Sequence, residues 1–262
     1  MKSDRVIYYN DPLEDDFSPL AIHTKEVGRD FPFQHDGVLW NLAAALLYYL
    51  IAVPVVFLIS KVYLGLQFEN REVLRQLSDT GYFLYGNHTR ILDAFLPAMT
   101  AFPKRAYVVA NPDAVSLPGL RNLVQMLGVL PIPTKFSGMR EFLASITRHY
   151  QAGDCVAIFP EAHIWPFYTG IRPFPDTAFR YPVQQQAPVV AMVTTYRKRK
   201  GLFRLLKKPG MTVTLSQPMY PKTGLTPTQA REELRDRVHD FMVEVSATRE
   251  NVEYIRYAPA GK

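Results

Sequence analysis

Cysteine is almost missing from this chain: Cys155 is the single one among 262 residues. That excludes an intrachain disulfide and any metal centre built from several thiolates. At the start there is no basic stretch followed by an apolar run and a cleavage site, so no secretory signal peptide is expected. Internal repeats and low-complexity linkers are lacking as well, which argues against solenoids and flexibly tethered modules. Charge is absent over one long stretch: residues 38–60, VLWNLAAALLYYLIAVPVVFLIS, carry none.

What is present fits a folded domain. Hydrophobic residues make up 48% of the chain and charged residues 21%, enough apolar material to build a core and too little charge for extended disorder. Thirty Lys and Arg stand against 24 Asp and Glu, a formal charge of +6 that favours polyanions, either nucleic acid or an anionic membrane face. The uncharged run weighs for lipid. A helix needs about 20 apolar residues to cross a bilayer, and this one has them. Trp40 at one end and Lys61 and Tyr63 at the other suit interfacial anchoring. Pro54 lies inside the run, where it can kink the helix or split it into two shorter ones in a single leaflet, so spanning and monotopic insertion are both open. The bland alternative is a helix buried in a soluble core.

Downstream the pattern becomes α/β. Apolar runs rich in Val, Ile, Phe and Tyr predict strands at 82–85, 106–109, 156–159, 189–194 and 212–215. Between them Met139, Phe142, Leu143, Ile146 and Tyr150 share one helical face, with Ser137 as the expected N-cap. A last helix is expected from Thr226-Pro227-Thr228-Gln229, a capping box with proline at the first helical position, and its apolar stripe is Leu234, Val238, Phe241, Met242 and Val245. Three regions follow: a polar segment (1–36), an apolar membrane-anchoring segment (37–66) and one α/β catalytic domain (67–262). That domain is expected to hold a central sheet, mostly parallel or mixed, flanked by helices.

Two strands end in chemically interesting turns. The first runs into Gly86-Asn87-His88-Thr89-Arg90-Ile91-Leu92-Asp93. Five positions along one helix point side chains about 140° apart, so His88 and Asp93 meet only if the histidine precedes the helix and the aspartate lies in its first turns. A carboxylate beside one ring nitrogen fixes the tautomer, leaves the other nitrogen free as a base and stabilises the imidazolium that forms. No serine follows in a nucleophile-elbow context. The second turn is Phe159-Pro160-Glu161, where the carboxylate can hold a positioning hydrogen bond or simply start a helix.

His-x4-Asp (His88, Asp93) followed about 70 residues later by Phe-Pro-Glu (Phe159, Pro160, Glu161) resembles the glycerolipid acyltransferase superfamily, whose bacterial type is the lysophosphatidic acid acyltransferase. Ala187-Pro188-Val189-Val190-Ala191-Met192 resembles the family's later Pro-Val strand motif, and the resemblance covers roughly residues 67–220. It implies that His88 takes the proton of an acceptor hydroxyl as that hydroxyl attacks an acyl thioester. Asp93 then orients His88, and Glu161, on its Phe159-Pro160 turn, braces the site or positions the acceptor. The co-substrate is acyl-CoA or acyl-carrier protein. No cofactor, no metal and no nucleic acid is implied. The acceptor is a lysophospholipid, the partner an anionic lipid membrane, and the catalytic domain lies on its cytoplasmic face.

Departures from the family pattern concern phosphate recognition. Where the family has an Arg between the two motifs, this chain has Thr134 with Lys135 beside it, and Gly-Thr-Arg after Phe-Pro-Glu is replaced by Ala162-His163-Ile164. Arg172, whose guanidinium can grip a phosphate bidentately, is the leading expected replacement, with Lys135 and Arg90 behind it. The same departures leave open a non-phosphorylated or amine acceptor, or a non-catalytic lipid-binding relative. Cys155 reads as a core residue. His163 and Trp165 either line a substrate pocket or pack. The basic run 197–208, with Leu202, Phe203, Leu205 and Leu206 among its cations, suits lipid headgroups or a solvated loop.

Overall fold

The computed structural model describes residues 5–18 and 24–261, apart from the side chain of Leu202. In chain order its strands are β1 (Val6–Tyr9), β2 (Gln67–Glu69), β3 (Tyr82–Gly86), β4 (Ala106–Ala110), β5 (Val129–Pro131), β6 (Cys155–Ile158), β7 (Val189–Arg197), β8 (Gly210–Leu215) and β9 (Arg256–Pro259). Seven of them form one sheet in the order β2-β8-β7-β3-β6-β4-β5. Neighbours are parallel except β7 and β8, which run antiparallel, so the sheet is mixed and covered on both faces.

Alternation along β3 shows how the sheet divides the core. Phe83 and Tyr85 point to one face, where they join Phe142 and Ile146 of the helix Met139–Gln151 and Leu234, Val238 and Met242 of the helix Pro227–Thr248. Tyr82 and Leu84 point to the other, with Leu64, Leu77, Leu96 and Met192. Each such side chain contributes about 1.5–3 kcal/mol on burial. The expected strands all form. The last helix starts as expected, with Thr226 Oγ1 accepting from Gln229 N at 3.3 Å and Gln229 Oε1 accepting from Thr226 N at 3.1 Å. Ser137 is not an N-cap. It lies inside a 3-10 turn, Phe136–Gly138, and the helix begins at Met139 without a side-chain cap.

The polar N-terminal segment does not stand apart. Its described residues pack as a two-part strap. Residues 24–36 run beside the helix Met139–Gln151, with Val27 N donating to Thr134 Oγ1 at 2.9 Å and Phe33 buried against Phe142. Earlier, β1 pairs in parallel with β9, and Tyr9 and Tyr257 of these two strands pack on Trp165 in the loop that follows β6.

Between the strap and the sheet runs one continuous helix, Val38–Leu64. Pro54 neither breaks nor splits it. Two wide π-type turns, Leu47–Ala52 just before the proline and Ile59–Leu64 at the end, are accommodated within it. One stripe, Ala44, Tyr48, Val53, Ser60 and Leu64, is buried against the domain. Tyr48 Oη accepts from Ala106 N at 3.0 Å and Tyr49 Oη donates to the Pro103 carbonyl at 3.1 Å. The opposite side, including Leu39, Leu42, Leu50, Ile51, Val55, Phe57 and Leu58, is exposed.

Candidate active site

β3 is flanked by β6 and β7, and the segments that leave the carboxyl ends of β3 and β6 meet there. Gly86 ends β3 because a side chain has no room: a Cβ would lie 2.9 Å from the Phe159 ring and 2.9 Å from the Met192 methyl. Asn87 then extends the pairing with β7 through its side chain. Its Nδ2 donates to the Thr194 carbonyl at 3.1 Å and its Oδ1 accepts from Thr194 N at 2.8 Å. The loop carrying His88 is thereby pinned at its first residue.

His88 precedes a 3-10 turn, Ile91–Phe95, and Asp93 lies within that turn, which is the arrangement the five-residue spacing requires. Asp93 is fully buried, and its Oδ2 accepts from Thr89 N at 2.6 Å, Arg90 N at 2.7 Å and Thr89 Oγ1 at 3.2 Å. Nδ1 of His88 stands 3.6 Å from the same oxygen. That is ion-pair contact, just beyond hydrogen-bond length, and neither His88 Nδ1 nor Asp93 Oδ1 has a hydrogen-bond partner among the described residues. Catalytic hydrogen bonds are commonly long before substrate tightens them. The His88 side chain is 14% exposed and its ring stacks on Phe159, centroids 4.6 Å apart, leaving Nε2 as the ring atom available to a substrate.

Glu161, after β6, is the second buried carboxylate. Oε2 accepts from His88 N at 3.1 Å and from Arg172 Nη2 at 3.2 Å, and Oε1 accepts from Arg172 N at 3.0 Å. Burial pushes its carboxyl above the ordinary range, opposed by the Arg172 charge and the two N–H groups. Glu161 thereby ties the His88 backbone to Arg172. The segment after it closes the loop from outside: Trp165 N donates to the His88 carbonyl at 3.3 Å and Phe167 N to the Thr89 carbonyl at 3.0 Å.

Several sequence expectations take a different form. Arg172 is 1% exposed and turned inward, bonded to Glu161 and the His163 carbonyl and lying over the Trp165 ring, so it braces Glu161 and does not face an open cleft. Lys135 pairs with Glu26 at 2.7 Å on the surface of the strap, and Thr134 holds Val27. Pro160 is buried in the turn, and Phe159 is the platform under His88. His163 and Trp165 meet the strap, through Asp16 and the Asp15 carbonyl, and are packing residues. Cys155 is wholly buried, with burial pushing its thiol up to about 12. Asn87 and Tyr196, the latter 2.6 Å from Thr89 Oγ1, were not legible as site residues, because only the fold brings β7 beside the loop. Two clefts, of about 70 and 210 Å3, lie elsewhere, and none of His88, Asp93 and Glu161 lines them.

A family model described as Acyltransferase matches residues 65–214, which hold β2 through β7, most of β8 and every residue of the His88 site named above. No curated protein matches the chain. Among solved structures, the 1-acyl-sn-glycerophosphate (LPA) acyltransferase PlsC from Thermotoga maritima is similar, with a TM-score of 0.52 and 16% identity over 81% of this chain and 96% of that one. At that identity the likeness is one of fold. With more than half its length matched by the family model, the chain belongs to the acyltransferase family.

Proposed function

We propose that this acyltransferase moves a fatty acyl group from a thioester, acyl-CoA or acyl-carrier protein, to the hydroxyl of a lysophospholipid at a membrane surface. The observation that carries the reading is the buried Asp93 carboxylate set against Nδ1 of His88 in a chain of this family. His88 Nε2 takes the acceptor's hydroxyl proton as the oxygen attacks the thioester carbonyl, and Asp93 stabilises the imidazolium. The tetrahedral intermediate collapses with cleavage of the carbon–sulfur bond, and the thiolate takes the proton from the imidazolium. The bond formed is an ester, and the products are a diacyl lipid and a free thiol. The similar fold of the Thermotoga 1-acyl-sn-glycerophosphate acyltransferase supports the choice of acceptor class.

The apolar helix is the membrane-binding element in this reading. Its buried stripe runs from Ala44 to Leu64, so the helix is docked on the domain along its length, and its exposed apolar side faces lipid. Such a helix lies in the interface and carries the catalytic domain on one side, the cytoplasmic one where thioester donors are supplied. Single cysteines introduced at Gly37 and Lys61 test this, since both react with an impermeant thiol reagent from the same side of a vesicle. Labelling from opposite sides would show a span. The acyl-transfer reading is tested by mass spectrometry of lipids after the purified chain is incubated with mixed lysolipids and acyl thioesters. New diacyl phospholipid supports it, and release of free fatty acid alone contradicts it.

A further inference from the structure

Of the cations considered as phosphate ligands, Arg172 and Lys135 are engaged with Glu161 and Glu26. Arg90 remains. It follows His88 by two residues, its backbone extended at φ −159° and ψ 151°. At strand-like spacing the two Cα atoms are roughly 7 Å apart, which suits a hydroxyl and a phosphate on one glycerol. Arg90 is 8% exposed, yet among the described residues its side chain has only neutral partners, the Met211 sulfur at 3.4 Å and the Phe167 ring at 4.8 Å.

A second buried guanidinium, Arg199, meets the chain at Pro209, two residues before the Met211 that Arg90 touches. Arg199, also 8% exposed, donates to the carbonyls of Tyr63, Lys208 and Pro209, and has no carboxylate partner among the described residues. Its Nη1 occupies the space that a Cβ at Gly65 would need, 2.8 Å away, and Gly65 has φ of +59°, so a glycine is doubly required where the apolar helix ends. Burial, then Arg197 and Arg90, hold Arg199 below its ordinary range. Lys208 Nζ donates to Tyr63 Oη at 3.1 Å on the exposed rim. Two buried guanidinium groups, neither hydrogen-bonded to a carboxylate among the described residues, favour a bound anion beside them.

We propose that Arg90 and Arg199 form the phosphate-binding pole of the acceptor site, placed where the apolar helix ends so that a lysophospholipid headgroup enters from the membrane with its hydroxyl toward His88. This rests on the acyl-transfer reading of the His88 site. The ligand chemistry is a phosphate ester, and two sources could supply it: the acceptor lipid, which is the assignment made here, or the phosphates of a coenzyme A donor.

The experiment compares wild type, Arg90→Gln, Arg90→Lys and Arg199→Gln in the full chain. Acceptors are a monoacylglycerol phosphate and the matching monoacylglycerol, and donors are acyl-CoA and acyl-pantetheine, which carries no phosphate. Arg90→Gln is expected to raise KM for the phosphorylated acceptor about 10- to 100-fold, the range for a hydrogen bond to a charged group. KM for the unphosphorylated acceptor and for both donors stays unchanged, and Arg90→Lys recovers part of the loss. Equal effects on both acceptors, or an effect that follows the donor's phosphate, overturns the assignment. A second readout is independent of turnover. The phosphorylated lysolipid should raise the melting temperature of His88→Ala protein but not of His88→Ala/Arg90→Gln. Equal stabilisation of the two rejects the site even if the acyl-transfer reading holds. Stabilisation that depends on Arg90, in a wild-type protein without transferase activity, rejects the acyl-transfer reading and keeps the anion site. Arg199→Gln also loosens the helix end, so Arg90 decides the question.

Discussion

Two buried carboxylates flank the same histidine, and they are held in opposite ways. Glu161 has both oxygens bonded and a guanidinium against it, and it grips the backbone of His88. Asp93 loads three donors onto one oxygen, leaves the other without a partner, and faces the imidazole itself. A saturated carboxylate is a fixture, whereas one with spare accepting capacity beside a base can respond when that base becomes charged. The two carboxylates therefore differ in what they can still do: Glu161 is committed to the His88 backbone and to Arg172, and Asp93 keeps one oxygen without a hydrogen bond beside the imidazole.

Substitutions should break this contrast in a definite order. Asp93→Asn keeps an oxygen for Thr89 and Arg90 but removes the charge that stabilises the imidazolium, so kcat should fall about 10²- to 10⁴-fold with the acceptor KM little changed. Steady-state kinetics on the purified variant checks this, and an effect confined to KM would assign Asp93 to binding. Arg172→Ala leaves Glu161 buried without its partner, and chemical denaturation should show a loss of about 3–5 kcal/mol. If the variant keeps its stability and loses only affinity for phosphorylated acceptors, Arg172 faces the substrate and the contrast is wrong. The smallest effect is expected beside Glu161. Ala162 is held at φ +62°, where an L side chain is strained, so Ala162→Gly should gain about 1 kcal/mol, or about 2 °C in Tm by calorimetry. An unchanged or lower Tm would mean the turn is not strained.

Much of this was legible in the sequence, for reasons visible in particular residues. The strands around the site read correctly because 82–85, 156–158 and 189–193 are buried on both faces and so are apolar without interruption. Helix geometry required His88 to precede the turn that holds Asp93, and the family resemblance singled out the pair. The short strands β1, β2, β5 and β9 carry only three or four residues each, too few to show a period. Ser137 was misread because the turn there is set from outside: Gly138 packs on the backbone of Gly28, 2.9 Å from where a Cβ would be, and no local signal records that. Arg172 was read as facing substrate because its exposure, not its spacing, decides its partner. The basic run divides in the same way. Arg199 is buried at the helix end, while Phe203 and Leu205 are exposed.

The central claim is that His88 is the base for acyl transfer. The direct measurement is the single-turnover rate of acyl transfer from a labelled thioester to a lysophospholipid, for wild type and for His88→Ala of matched melting temperature and vesicle binding. The account predicts a rate at least about 100-fold lower in the variant, since its base is gone and its fold and membrane contact are not. A folded, vesicle-bound His88→Ala protein that transfers at the wild-type rate would contradict it.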